Sequence, residues 1–344
     1  MSTALVTGGA GFLGSHIADY LLRMGLTVVV VDDLSQGFAG NVPSGAIFHQ
    51  ASVTDFQAIE RLFALYRFQY VYHFAAYAAE GMSHFIRGFN YRNNLLGSVN
   101  LITLSVNHAV ECFVFASSIA VYGGGELPFR EETPASPEDP YGVAKLCVEL
   151  DLRAAHHQFG LPYVIFRPHN VYGERQNIAD PYRNVIGIFM RQVLQGQPCT
   201  IFGDGSQTRA FSYVHDVVPV IARSVTVPEA RGEIFNIGAD HAYRVDFVAE
   251  AVQGALGRRT GIRRLEARNE VAHAYCSHSK LHSVFGTAPT TELVDGIRHM
   301  ADWVCTVAIP PSRAVSQIEI PKSLPSEWRR LAMDGRGHEQ SIVS

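Results

Sequence analysis

Along the first half of the chain the spacing of apolar residues switches repeatedly between two patterns. Short runs rich in β-branched and other apolar residues recur at residues 4–7 (ALVT), 27–33 (TVVVVDD), 46–51 (AIFHQA), 69–76 (QYVYHFAA), 112–118 (CFVFASS) and 163–168 (YVIFRP). Between them lie stretches with the three- and four-residue spacing of amphipathic helices: 12–24, 56–66, a helix around Asn93 to Asn107 and one carrying Tyr141. Strands alternating with helices predict an α/β fold, a doubly wound parallel sheet. After about Arg167 the rhythm breaks into loops and shorter elements, NVYGERQNIADPYRNVIG, TIFGDGSQTRAFSYV and FNIGADHAYR, the composition of a smaller α/β lobe closing over a ligand. The expected organisation is a dinucleotide-type sheet domain over 1–168, a substrate-binding lobe mainly over 169–310 with some segments returning to the first domain, and a tail over 311–344. The last ten or so residues of the tail are expected to be mobile.

Composition narrows the classes. With 344 residues and 47% hydrophobic content the chain can bury a sizeable core. A formal net charge of −4, with no basic stripe and no block of like charges, argues against a nucleic-acid or anionic-membrane surface. No apolar run approaches the roughly 18 residues needed to span a bilayer, and a strand-like run begins within a few residues of the start, so a cytoplasmic protein is expected. Five cysteines, Cys112, Cys147, Cys199, Cys276 and Cys305, are widely spaced without CxxC pairing and read as free, mostly buried thiols. Fifteen histidines include no HExxH or clustered acidic pattern, so no metal site is expected.

Candidate chemistry begins at TGGAGFLG, Thr7 to Gly14. Three glycines alone would suit any tight turn. Here a strand precedes them, an amphipathic helix follows, and Asp32 ends the next strand 18 residues beyond Gly14. Glycines at the turn let the backbone approach a pyrophosphate, whose charge meets free N–H groups and the helix dipole. Asp32 can accept hydrogen bonds from a ribose 2′-hydroxyl but repels a 2′-phosphate, and its neighbour is Asp33, not an arginine. NAD is therefore expected over NADP.

The second candidate is EDPYGVAKLC. Lys145 is one of three lysines in the chain and the only one before Lys280. Tyr141 and Lys145, four apart behind the helix-start signal Asp139-Pro140, share one helix face. An ammonium about 4 Å from a phenolate, at an effective dielectric of about 20, contributes roughly 4 kcal/mol. That would bring a phenol that ordinarily titrates near 10 close to neutrality and make Tyr141 a base. Arginine would fit poorly, because its guanidinium is larger and its donors are fixed in a planar fork. Ser117 and Ser118 sit at a strand's carboxyl end, where ligands of doubly wound sheets bind.

Together TGGAGFLG, Asp32, HFAA (His73 to Ala76), SSIAVYG, YGVAK and RPHNVYGERQ resemble the extended short-chain dehydrogenase/reductases. Within them the chain is most similar to the nucleotide-sugar epimerase/dehydratase group, UDP-galactose (UDP-glucose) 4-epimerases in particular. The resemblance runs to about residue 305; FGDGSQTRAFSYVHD, FNIGAD and IEIPKSLPSEW share its style. It implies a Rossmann domain binding NAD, a UDP-linked nucleotide sugar as substrate, and a homodimer formed through the long helices beginning near Asn93 and Tyr141. It implies Tyr141 as base, Lys145 as its partner and nicotinamide-ribose ligand, and Ser118 beside the reacting sugar oxygen. For the cofactor it implies Gly8, Gly11, Phe12, Leu13, Asp32, Asp33, Phe74, Ala75, Ala76 and Asn94, with Ser52 and Val53 at the adenine. For the substrate it implies Asn170, Asn184, Val185, Phe202 against the base, and Arg209 with Arg268 on the diphosphate.

Departures from the group's pattern carry information. Ser52 stands where many relatives have an adenine-contacting Asp, Ala78 where some 4-epimerases have a lysine, and His169 where Phe is common. Sugar 4,6-dehydratases of the group carry Asp-Glu directly after the serine or threonine. This chain has Ile119 and Ala120, which cannot move a proton, unless Glu80, His84 or His169 substitutes. The reaction implied is inversion at C4 through a 4-keto sugar. A dehydratase, decarboxylase or 4-ketoreductase of the same group is the alternative, and a dinucleotide-sensing or scaffold protein is the non-enzymatic one. The intact Ser118, Tyr141 and Lys145 set speaks against the last.

Overall fold

The computed structural model describes residues 2–267, 273–288, 290–308, 318–326 and 328–329. Six strands in the first half, β1 (Thr3–Thr7), β2 (Thr27–Asp32), β3 (Ile47–Gln50), β4 (Tyr70–His73), β5 (Cys112–Ala116) and β6 (Tyr163–Pro168), are joined by a seventh, Glu233–Ile237. They form one sheet in the order β3, β2, β1, β4, β5, β6, Glu233–Ile237, with every neighbouring pair parallel. Successive strand residues feed two cores. Ala4, Val6, Val28, Val30 and Val114 pack on one face with Ile17 and Leu21, while Leu5, Val29, Val31, Phe113 and Phe115 pack on the other with Ile59, Phe63 and Leu101. Because both faces are covered by helices, the strands read as nearly continuous apolar runs. The order reverses between β1 and β4, and the crevice beyond the carboxyl ends of those two strands is where a Rossmann-like α/β sheet accepts its ligand.

Beyond β6 the chain builds smaller sheets: Val171–Tyr172 with Ser212–Tyr213, Cys199–Phe202 with Ile262–Leu265, and a three-stranded unit of Ala242–Arg244, Thr208–Ala210 and His273–Ala274. Two expectations change. The FNIG run, read as part of the small lobe, is the seventh strand of the main sheet, with Phe235 opposite Phe166 and both fully buried. Its partner lies some seventy residues back, a pairing no local pattern reveals. The helix expected from Asn93 begins earlier, as Arg87–Tyr91, widens into a π-type turn over Arg92–Leu96, and continues as Gly97–Asn107. Arg268 and the last residues of the tail lie outside the described residues.

The segment from Ile318 to Trp328 returns to the main body. Glu319 accepts hydrogen bonds from Gly88 N (2.6 Å) and Phe89 N (2.8 Å), capping the Arg87–Tyr91 helix. Trp328 and Leu324 pack with Tyr77, Met82 and Ile86, and the indole meets Phe85 and Tyr182 edge-on.

Candidate active site

A cavity of about 990 Å³ opens along the carboxyl edge of the sheet and runs into the second half of the chain. At one end lie Gly8, Gly11, Phe12 and Leu13. Gly8 has φ +69°, and a Cβ there would lie 2.6 Å from the Ala75 amide nitrogen, so a glycine is needed for β1 and the residues after β4 to approach this closely. The Phe12–Arg23 helix starts at Gly11, which brings no capping side chain, so its first N–H groups face the cavity. Asp32 ends β2 with Oδ2 accepting from Ala10 N (3.1 Å) and Oδ1 from Leu34 N (2.8 Å). Burial pushes its carboxyl up, and these N–H donors pull the other way. A carboxylate has about four acceptor sites, so the two bonds leave room for a ribose. The glycine cradle, the uncapped helix start and this carboxylate fit NAD. Arg175, whose Nη1 donates to Ser15 O at 3.2 Å, adds a cation beside that helix turn that was not singled out in the sequence.

Phe74, Ala75 and Ala76 line the cavity, as does Val53. They are held by a buried chain: Ser98 Oγ meets His73 Nε2 (2.8 Å), His73 Nδ1 meets Thr7 Oγ1 (2.7 Å), and Ala75 N donates to Thr7 Oγ1 (3.4 Å). Burial, with Lys145 nearby, lowers His73 to about 3, so it is neutral. Ser52 and Asn94, expected at the cofactor, do not line the cavity. Ser52 Oγ is taken up in a local turn, bonded to Thr54 Oγ1 (2.9 Å) and accepting from Thr54 N (3.2 Å). Asn94 is buried and bonds both backbone groups of Tyr77 (2.8 and 3.0 Å), thereby fixing the loop that does line the cavity.

At the middle of the cavity stand Ser118, Tyr141 and Lys145. The Pro140–Phe159 helix carries the last two. Asp139 caps it by accepting from Gly142 N (2.9 Å), Pro140 occupies its first turn, and Tyr141, Ala144, Lys145, Val148 and Glu149 form its buried stripe. Lys145 Nζ donates to Ala116 O at 2.7 Å and lies 4.7 Å from the Phe115 ring centroid and 5.7 Å from that of Tyr141. The Ser118 hydroxyl acts on the Tyr141 phenol and accepts a hydrogen bond from Ala120 N at 3.1 Å. One turn on, Glu149 accepts from Arg167 Nε (2.9 Å), pairs with Arg167 Nη2 (2.5 Å) and bonds the Ser117 hydroxyl, an ion pair almost wholly buried.

In the protein alone, burial works against the acidity expected for the tyrosine. Tyr141 is 5% and Lys145 2% exposed. Burial pushes the phenol above its ordinary value, the Glu80 charge adds to that, and the Ser118 hydrogen bond only partly opposes it. Burial also lowers Lys145 to about 7 against the pull of Glu149. The ammonium points at the Ala116 carbonyl, so desolvation outweighs its attraction for a phenolate. Without a further positive charge Tyr141 holds its proton at neutral pH.

The far end of the cavity is lined by Asn170, Asn184, Val185, Phe202 and Arg209. Asn170 and Asn184 adopt left-handed backbone, φ +41° and +57°. Asn184 accepts from Ile186 N (3.2 Å) at the start of the Val185–Leu194 helix and donates to Val171 O (2.6 Å). Arg209 Nη1 donates to Thr208 O at 2.9 Å. Ile119 and Ala120 line the wall beside Ser118. Glu80, His84, Arg183, Lys322 and Trp328 also line the cavity. Of these, Arg183 was not singled out in the sequence, Glu80 and His84 were weighed only as substitutes for a dehydratase's acid or base, and Lys322 and Trp328 stand in IEIPKSLPSEW.

Fold and site together describe a dinucleotide enzyme with room for a second ligand beside the tyrosine. The family model of the NAD dependent epimerase/dehydratase family matches residues 4–238, and the chain belongs to that family. UDP-glucose 4-epimerase of Halalkalibacterium halodurans is 30% identical over 316 residues, covering 87% of this chain and 94% of that protein. The crystal structure of Thermus thermophilus UDP-glucose 4-epimerase in complex with NAD is 33% identical with a TM-score of 0.82, covering 89% of this chain and 100% of that one. That of Thermotoga maritima UDP-glucose 4-epimerase with UDP-glucose is 32% identical with a TM-score of 0.81, covering 88% and 98%.

Proposed function

We propose that the protein is a 4-epimerase of a nucleotide-activated sugar, UDP-linked, acting through a transient 4-keto sugar. The observation that carries this reading is that Tyr141 and Ser118 line one cavity next to a wall, Ile119 and Ala120, that offers no second proton-transfer group. NAD, when bound, supplies a hydride acceptor that can return the hydride, and a positive ring that favours a phenolate. Tyr141 takes the proton of the C4 hydroxyl and later gives it back. Ser118 holds the C4 oxygen towards Tyr141. Lys145, fixed by Ala116 O, brings its charge to the cofactor side. Asn170, the start of the Val185–Leu194 helix and Arg209 hold the nucleotide diphosphate, and Phe202 the base, so the sugar can turn while its leash stays fixed. Arg268, proposed for the same diphosphate, rests on sequence resemblance.

Glu80 favours one second reading. Its charge acts on Tyr141 from the cavity mouth, so a dehydratase could use it as the acid or base that Ile119 and Ala120 do not provide. Incubation with UDP-glucose, UDP-N-acetylglucosamine and UDP-glucuronate, followed by NMR and mass spectrometry, separates the two. A C4 epimer of unchanged mass is expected, whereas loss of water or carbon dioxide rejects epimerisation.

The same reading takes the enzyme to be a cytoplasmic homodimer with a cofactor domain through residue 168. Its free cysteines suit a reducing compartment. No described helix is long and apolar enough to cross a membrane. Leu96 and Leu150, each at least half exposed on the two long helical segments, support a helix-to-helix dimer face.

A further inference from the structure

Behind Asn170 three titratable side chains from three separate segments form a line. His169 follows β6, Asp240 follows the Glu233–Ile237 strand, and His278 precedes the Ser279–Phe285 helix. His169 Nε2 meets His278 Nε2 at 3.1 Å, with the rings stacked at 5.2 Å, and His278 Nδ1 meets Asp240 Oδ1 at 2.6 Å. The two histidines are 2% and 1% exposed, whereas the Asp240 side chain is 66% exposed. At the inner end His169 Nδ1 lies 3.2 Å from the Ala210 carbonyl, the same oxygen to which Asn170 Nδ2 donates at 3.0 Å. Gly238 leaves space for the ring, since a Cβ there would lie 2.6 Å from His169 Cε1.

Counting donors and acceptors fixes the protons. Ala210 O only accepts, so His169 Nδ1 carries hydrogen. Burial, then the neighbouring His278, lowers His169 to about 3, so its Nε2 is bare. His278 Nε2 then donates to it, and the Asp240 carboxylate accepts a hydrogen bond from His278 Nδ1. The other charged groups nearby are His282, with its ring 6.4 Å from that of His278, and Lys280, which is engaged by Glu233 at 2.7 Å.

We propose that the Asp240–His278–His169 chain is a hydrogen-bonded positioning device that fixes Asn170 for the nucleotide sugar. It rests on the reading of Asn170 as a substrate contact. Asp240 orients His278, His278 orients His169, and His169 and Asn170 are locked through one carbonyl. Of the three, His169 lines the cavity beside Asn170, and His278 and Asp240 do not.

The test is Asp240→Leu in the full-length enzyme. Leucine cannot accept from His278 Nδ1, so the ring loses the partner that aims its Nε2 at His169. KM should then rise about fivefold to tenfold, the scale of one lost hydrogen bond, with kcat unchanged. Asp240→Asn, whose amide still pairs with His278 Nδ1, and Asp240→Glu should stay close to the parent. An unchanged KM in Asp240→Leu, or a fall in kcat alone, overturns the proposal. Long-range proton–nitrogen spectra of the parent's histidines read which ring nitrogens carry hydrogen. Hydrogen on His169 Nδ1 and on His278 Nδ1 is expected, and its absence at either overturns the proposal even if no UDP-sugar is turned over, the outcome that would defeat the functional reading instead.

Discussion

Lys145→Met should make the cofactor-free protein more stable while abolishing its activity. Burial displaces the lysine from 10.5 to about 7, which corresponds to about 5 kcal/mol for holding the ammonium inside the fold. The sign follows from proton counting. Below about 7 both folded and unfolded chains hold the proton, so the full cost is present. Between about 7 and 10.5 the unfolded chain holds one proton more, and stability climbs with pH by about 1.4 kcal/mol per pH unit. Methionine keeps the stem that packs on Phe115 but leaves the Ala116 carbonyl without its donor, a loss of about 1–3 kcal/mol. The variant should therefore be about 2–4 kcal/mol more stable than the parent at pH 6, with the gap closing by pH 9. Urea unfolding midpoints of both proteins at pH 6, 7.5 and 9 measure this. Parallel pH curves would refute the claim that a costly buried ammonium is retained for the reaction.

Glu149→Gln should destabilise the protein by about 3–5 kcal/mol in thermal or urea unfolding, because Arg167 is left charged and buried. It should also move the alkaline fall of activity to lower pH, since Glu149 supports the protonated form of Lys145. Trp328→Ala should loosen the Ile318–Trp328 segment at Gly81, Phe85 and Tyr182. Faster proteolysis after residue 318 and a higher sugar KM are expected, with bound NAD unchanged. Equal proteolysis rates would show that the segment is held by Glu319 alone.

What could be read from the sequence follows from how local each feature is. The strands of TVVVVDD and YVIFRP, and the helix at 56–66, stand where their patterns put them, because apolar spacing reports burial directly. The glycine loop, Asp32, Tyr141 and Lys145 were legible because fixed spacings force them to one sheet edge or one helix face. The seventh strand was not, since its partner is set by long-range pairing, and neither the local turn that takes up Ser52 nor the Tyr77 loop that takes up Asn94 shows in the spacing. The burial that works against the tyrosine's acidity was hidden for a related reason. Charge proximity is visible in YxxxK, but the depth of burial and the direction of the ammonium are not. The histidine pair joins positions 109 residues apart and leaves no mark in either segment.

The central claim is that Tyr141 moves the substrate proton, and the rate of C4 inversion by Tyr141→Phe measures it most directly. With NAD content and unfolding midpoint matched to the parent, turnover of the best UDP-sugar should fall about 10²–10⁴-fold, the range of a lost general base. Turnover equal to that of the parent would contradict the account.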